Sequence, residues 1–231
     1  MSTNCVVRCT NFWPRHHHLT EVVVIFADDQ LLVLNKPAGL LSVPGRGADK
    51  QDCLSRRVQQ LYPDALVVHR LDMATSGLMV MARGLQAQRM LNKAFASHSV
   101  HKRYEAVVDG VLASSGTNWQ QIDLPIFLDW DNRPKRVVDQ ARGKPSSTRW
   151  QVLHVNPDEQ TTRLSLKPIT GRSHQLRVHL QAIGHAILGD MLYGTPEVAA
   201  KTRRLLLHAC ELEITHPVNQ QTLRFVSPAP F

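Results

Sequence analysis

The stretch Val68-His69-Arg70-Leu71-Asp72-Met73-Ala74-Thr75-Ser76-Gly77 sets one carboxylate between a basic pair and a turn of small residues that ends in glycine. The runs on either side, Leu66-Val67-Val68 and Leu78-Met79-Val80-Met81, are short, apolar and β-prone, so the charged segment is predicted to be a loop between two buried strands. Loops held by a rigid scaffold are where functional groups collect. An ordinary carboxylate is ionised at neutral pH, so Asp72 is suited to attack carbon or accept a proton and not to donate one. The plain alternative is a turn cap or a structural pair with Arg70.

Working outward, residues 21–26 and 31–34 read as two β runs joined by Asp28-Asp29-Gln30, a hairpin pattern. Lys36-Pro37-Ala38-Gly39-Leu40 follows, where Pro and Gly break any regular element and leave Lys36 at a strand end, beside a binding site or in a surface turn. Residues 52–62 fit a helix stopped by Pro63, with Leu54, Val58 and Leu61 on one face. Residues 85–97 fit a second, with Met90, Leu91 and Phe95 inward and Arg89 and Lys93 as an i, i+4 basic pair.

Beyond these, residues 102–108 read as a strand carrying Tyr104, and further strands are predicted over 147–155, 162–167, 205–214 and 222–226. Asp129-Trp130-Asp131-Asn132-Arg133-Pro134-Lys135 mixes aromatic, polar and basic residues in a way that suits an exposed binding loop better than a core. Thr170-Gly171-Arg172-Ser173-His174-Gln175-Leu176-Arg177 opens a helix with Leu176, Leu180 and Ile183 on its apolar face and His174, Arg177 and Gln181 on a polar one. That polar face could hold phosphate or a carboxylate, or simply be solvated. The alternation of strands and short helices gives an α+β class, with residues 1–20 an irregular leader and 21–231 a single domain.

Composition narrows the partners. The chain of 231 residues carries a net charge of +8, and its 27 basic side chains are mostly Arg, whose planar fork binds phosphate and stacks on bases. Cys5, Cys9, Cys53 and Cys210 form neither a disulfide framework nor a zinc pattern and read as reduced thiols in a cytoplasmic protein. No segment reaches the roughly 18 apolar residues of a membrane span. The tract His16-His17-His18 lacks a partner carboxylate and reads as solvated.

Five ordered segments, Lys36-Pro37-Ala38-Gly39-Leu40, His69-Arg70-Leu71-Asp72, Lys102-x-Tyr104-x-Ala106, Gly171-Arg172-Ser173-His174-Gln175-Leu176-Arg177 and Leu206-Leu207-His208-Ala209, together resemble the RluA family of RNA pseudouridine synthases. Leu41-Ser42-Val43-Pro44-Gly45, the segment around Trp130, and Ile187-Leu188-Gly189-Asp190 are similar to the branch that modifies both a tRNA anticodon loop and a 23S rRNA hairpin loop.

The resemblance implies a long, mixed, mainly antiparallel bent sheet with flanking helices and a central catalytic cleft, without a separate N-terminal RNA-binding domain. It implies isomerisation of uridine to pseudouridine with no metal and no cofactor. Asp72 would be the essential carboxylate, Arg177 its ion-pair partner, and Tyr104 the ring that stacks on a flipped-out uracil. Arg70 would fill the space the base leaves, and Lys36, His69, Arg133, Lys135, Arg172 and His174 would contact the RNA. A monomer is expected, since no coiled-coil stripe is visible. Two other readings stand beside this one: a non-catalytic RNA-binding or ribosome-assembly factor, which needs none of the three catalytic residues, and a glycosidase, which needs a second carboxylate beside Asp72.

Overall fold

A computed structural model describes residues 22–113, 116 and 118–231, together with the backbone of residues 5–8. The His16-His17-His18 tract and most of the expected leader lie outside the described residues. The chain divides into two compact units, one made of residues 1–102 and 209–230 and the other of residues 103–208 with Phe231.

The first unit contains β1 (Cys5–Arg8), β2 (Val23–Ala27), β3 (Leu31–Lys36), α1 (Leu54–Leu61), β4 (Ala65–Val67), β5 (Ser76–Arg83) and α2 (Gly84–Ala96). Near the C-terminus β12 (Leu207–Thr215) and β13 (Thr222–Val226) complete it. β2 and β3 form the expected hairpin, whose turn is fixed by Asp28: its Oδ1 accepts the N–H groups of Gln30 at 2.8 Å and Leu31 at 2.9 Å. β3 then pairs antiparallel with β5, β4 pairs with β5, and β12 pairs with β13.

Within the expected leader, residues 5–8 form a parallel ladder on β13. β3 and β5 read as near-continuous apolar runs because they are covered on both faces. Leu31, Val33, Leu78 and Val80 pack with Ala87 and Leu91 of α2 and with Leu212, Ile214 and Phe225.

The helices appear where the periodicity places them, with a narrower buried stripe. Leu61 at the end of α1 is 62% exposed and Met90 of α2 39% exposed, so neither belongs to the core. Met90 lies about 100° round the helix from Leu91, which does face inward, and Ala87 continues the true stripe.

The second unit contains β6 (His101–Asp109), β7 (Gln120–Asp123), β8 (Ile126–Leu128), β9 (Arg136–Val138), β10 (Ser147–Asn156), β11 (Thr161–Pro168), α3 (Gln175–Ala182) and α4 (Pro196–Ala200). Its strand order is β6-β11-β10-β7, antiparallel throughout, and β8 and β9 form a separate two-stranded hairpin. Ala106, Val108, Leu164 and Leu166 are fully buried, and α3 packs against β9, β10 and β11.

α3 departs from its amphipathic reading, because Gln175 through Leu180 are all buried. Its polar side chains are satisfied internally. Gln175 donates to Ser147 O at 2.9 Å and to Thr148 Oγ1 at 3.0 Å, while its own Oε1 accepts from Thr170 Oγ1 and from the Arg172 N–H. His179 lies between Thr148 Oγ1 and Leu124 O, and burial lowers its pKa. A helix polar on paper can thus be interior, provided every polar group finds a partner.

Candidate active site

In the first unit, residues 68–75 link β4 to β5 and carry Asp72, as the sequence predicts. The flanks of Asp72 are gripped by the turn after β3. Ser42 Oγ donates to Leu71 O at 2.7 Å and accepts the Leu71 N–H at 3.1 Å. On the other side, Met73 O accepts from Lys36 Nζ at 3.0 Å and from the Gly39 N–H at 2.8 Å. Asp72 O itself accepts the Thr75 N–H at 3.1 Å, closing the small-residue turn. Asp72 is half-buried, between buried Leu71 and exposed Met73, so its backbone is fixed while its side chain keeps access to solvent.

Two expected RNA contacts are corrected here. Lys36 is 0% exposed, and its ammonium donates to the carbonyls of Pro37, Leu40 and Met73. It braces the loop from inside and cannot reach a phosphate. His69 stacks on Phe95 with ring centroids 4.4 Å apart, and its Nε2 accepts the Val80 N–H at 2.9 Å. Burial, with a smaller contribution from the Lys102 charge, lowers its pKa to about 3, so the ring is neutral and belongs to the packing. Arg70 differs from both in being exposed.

The glycine that ends the motif has a specific cause. Gly77 sits at φ +112°, and a Cβ there would stand 2.3 Å from Ala209 O and 2.5 Å from Ala209 N. Backbone of β12 crosses that point, so only glycine lets the loop leave onto β5.

In the second unit, Tyr104 is half-buried on β6, opposite Leu166 of β11. Arg177 of α3 is 4% exposed. Its Nε donates to Asp190 Oδ2 at 2.7 Å and its Nη2 to Asp190 Oδ1 at 2.6 Å, a two-point fork that fixes the guanidinium plane. Asp190 is fully buried and Oδ1 also accepts the N–H groups of Leu192 at 3.0 Å and Tyr193 at 3.1 Å, so the pair is well satisfied. The sequence marks Asp190 only as an aspartate that ends the run Ile187-Leu188-Gly189.

The other basic candidates lie at the surface. Arg172 is exposed just before α3, and His174 is half-buried at its start in the left-handed region at φ 58°. Residues 129–135 form the tip of the β8–β9 hairpin, where Arg133 and Lys135 are exposed and Trp130 is 62% exposed. The Arg133 guanidinium lies 4.3 Å from the Trp130 ring centroid, and Asn132 bonds back to both carboxylate oxygens of Asp129. An exposed indole next to cations is equipped to meet an unpaired base and its phosphates.

A profile of the RNA pseudouridylate synthase family matches residues 30–182. Over 210 residues, 91% of this chain and 94% of the relative, the sequence is 48% identical to a dual-specificity RNA pseudouridine synthase RluA of Escherichia coli. It is also 48% identical over 213 residues to the protein of that name from Vibrio vulnificus, covering 90% of this chain and 83% of the relative. Among solved structures, it is similar to human RNA pseudouridylate synthase domain containing 1, with a TM-score of 0.77 and 26% identity over 94% of this chain and 87% of that one.

Proposed function

Because the chain belongs to the RNA pseudouridylate synthase family and isomerises uridine in RNA, we propose that Asp72 is its essential carboxylate and that a tRNA anticodon stem-loop and a 23S rRNA hairpin are its targets. The observation that carries the first half is the grip on residues 71 and 73, which holds the backbone of Asp72 from both sides. A group that must meet one atom of a substrate gains rate from such fixed placement. The second half is supported by the dual-specificity relatives, which match nearly the whole chain.

The reaction breaks the bond from uracil N1 to ribose C1′, turns the base, and joins C5 to C1′, while C5 loses its proton and N1 gains one. Asp72 serves as nucleophile or base on the ribose side, or adds to the uracil ring. Tyr104 stacks on the extruded uracil. Arg177 pairs with Asp72 as well as with Asp190, which five N–H donors permit. Extrusion of the base costs a few kcal/mol, least for an unpaired uridine, and Arg70 occupies the vacated stack. Arg133, Lys135, Arg172 and His174 contact the RNA, whereas Lys36 and His69 act by holding the loop. The enzyme works as a monomer in the cytoplasm, and no described helix is long and apolar enough to cross a membrane.

The test is tritium release from C5-labelled uridine in the two RNAs, comparing the wild type with Asp72→Asn. Release from both RNAs, reduced roughly 10²- to 10⁴-fold by the substitution, is expected. Release from one RNA would reduce the target to that RNA. Undiminished release by Asp72→Asn would remove Asp72 from the chemistry.

A further inference from the structure

Tyr193 lies in the turn between Asp190 and α4, and its side chain touches three residues of the second unit, one at the base of the hairpin and two at the start of α3. Its Oη accepts the N–H of Arg136 at 2.9 Å, and Arg136 is the first residue of β9, directly after the exposed Arg133-Pro134-Lys135 segment. The same oxygen lies 2.7 Å from His174 Nδ1, and the two rings meet edge to face at 5.6 Å. The hydroxyl accepts from Arg136 and can donate to Nδ1 or accept from it, according to the imidazole tautomer. The third contact is the ring face, whose centroid lies 4.9 Å from Arg177 Cζ.

The turn itself is set by Asp190. Its Oδ1 takes the Tyr193 N–H at 3.1 Å and its backbone carbonyl takes the Gly194 N–H at 3.0 Å. The carboxylate that fixes the plane of Arg177 therefore also delivers the ring over which its guanidinium carbon lies. A two-point hydrogen-bonded fork and a cation-π contact together leave a guanidinium few ways to turn. The hydroxyl at the far end of that ring ties down the base of the hairpin.

We propose that Tyr193 is a positioning residue with two separable jobs: its hydroxyl holds the hairpin that presents Trp130 and Arg133 to RNA, and its ring holds Arg177. The inference rests on the RNA-contacting role assigned to that hairpin. A tyrosine that only fills space would have no use for its hydroxyl, yet here the hydroxyl bonds groups 57 and 19 residues away in the chain.

Two variants separate the jobs. Tyr193→Phe keeps the ring and loses the hydroxyl, so KM for a stem-loop RNA should rise about 5-fold with kcat nearly unchanged, the size of one net hydrogen bond. Tyr193→Leu loses both, so kcat should also fall by roughly 10-fold as Arg177 loses its cation-π contact. Amide hydrogen exchange supplies a readout independent of RNA: the Arg136 N–H should exchange faster in Tyr193→Phe. Unchanged KM together with unchanged Arg136 exchange overturns the hydroxyl's role. Losses in both variants that merely follow the folded fraction by circular dichroism overturn the positioning role. Faster Arg136 exchange with KM unchanged both here and in Arg133→Ala would show that the hairpin does not read RNA, and would take this inference with it while leaving Asp72 untouched.

Discussion

The loop at residues 68–75 and the hairpin tip at residues 129–135 are both charged segments between short strands, and they are held in opposite ways. In the loop, the residues on both sides of Asp72 are bonded to groups 29 to 37 positions earlier in the chain, and two of those groups, Ser42 and Lys36, are buried. The hairpin tip relies on local bonds from Asp129 and on one phenol at Arg136, and its large side chains stay in solvent. The difference matches what the proposed roles of the two regions would require. A carboxylate that reacts with one atom loses rate for every fraction of an ångström of error. Splayed RNA bases are met by exposed rings and mobile cations that adjust to them.

If the loop is the rigid partner of that comparison, the largest effect comes from prising it off its support. Gly77→Ala puts a methyl into the backbone of Ala209 and forces an L-residue to φ +112°. Neither strain can be relieved by a side-chain rotation. A loss of at least about 3 kcal/mol in unfolding free energy is expected, with activity falling in the residual folded protein as the loop shifts. Denaturant melts and tritium release would measure the two losses. A variant of wild-type stability would mean that the grip on the loop is loose and the contrast with the hairpin unreal.

The loop was legible because its signals are local: apolar β runs, a lone carboxylate and a terminal glycine lie within about sixteen consecutive residues. Strands and helices were legible for the same reason. What the sequence hid was burial of charge. Lys36 and Arg177 both read as accessible cations, yet both are buried, Lys36 donating to three carbonyls and Arg177 to the fork of Asp190. Those partners come from turns that carry no periodic pattern, so neither Ser42 nor Tyr193 stood out. The buried face of α3 was missed likewise, because Gln175 and His179 look solvated until Thr148 and Leu124 are brought beside them.

A second effect of intermediate size sharpens the contrast through pH. His69 has a folded pKa of about 3 against an ordinary 6.5, because it is packed against Phe95 beside Lys102. Between those values the unfolded chain binds a proton that the folded chain refuses, so stability rises with pH across the window. The contribution is fully present above pH 6.5 and drains away as pH falls towards 3. By pH 5 the cost should be about 2 kcal/mol. His69→Gln retains an acceptor for the Val80 N–H but does not titrate, and its urea midpoint should vary less between pH 7.5 and pH 5. Equal slopes for the two proteins would take His69 out of the loop's foundations.

The smallest effect belongs to the hairpin, where loss of one exposed cation should cost affinity and nothing else. Arg133→Ala removes a guanidinium that rests on Trp130 and makes its charge available at the surface. A single phosphate contact of this kind should weaken stem-loop binding by roughly 5-fold at 0.1 M salt and lower the slope of log K against log salt by about one. The melting curve should not move, since the side chain supports no core. The slope is the informative quantity, because loss of stacking alone would weaken binding equally at every salt concentration. A reduced affinity with an unchanged slope would therefore make Arg133 a prop for the Trp130 ring. A lowered melting midpoint would break the comparison from the other side, by showing that the exposed hairpin is as structurally committed as the loop that carries Asp72.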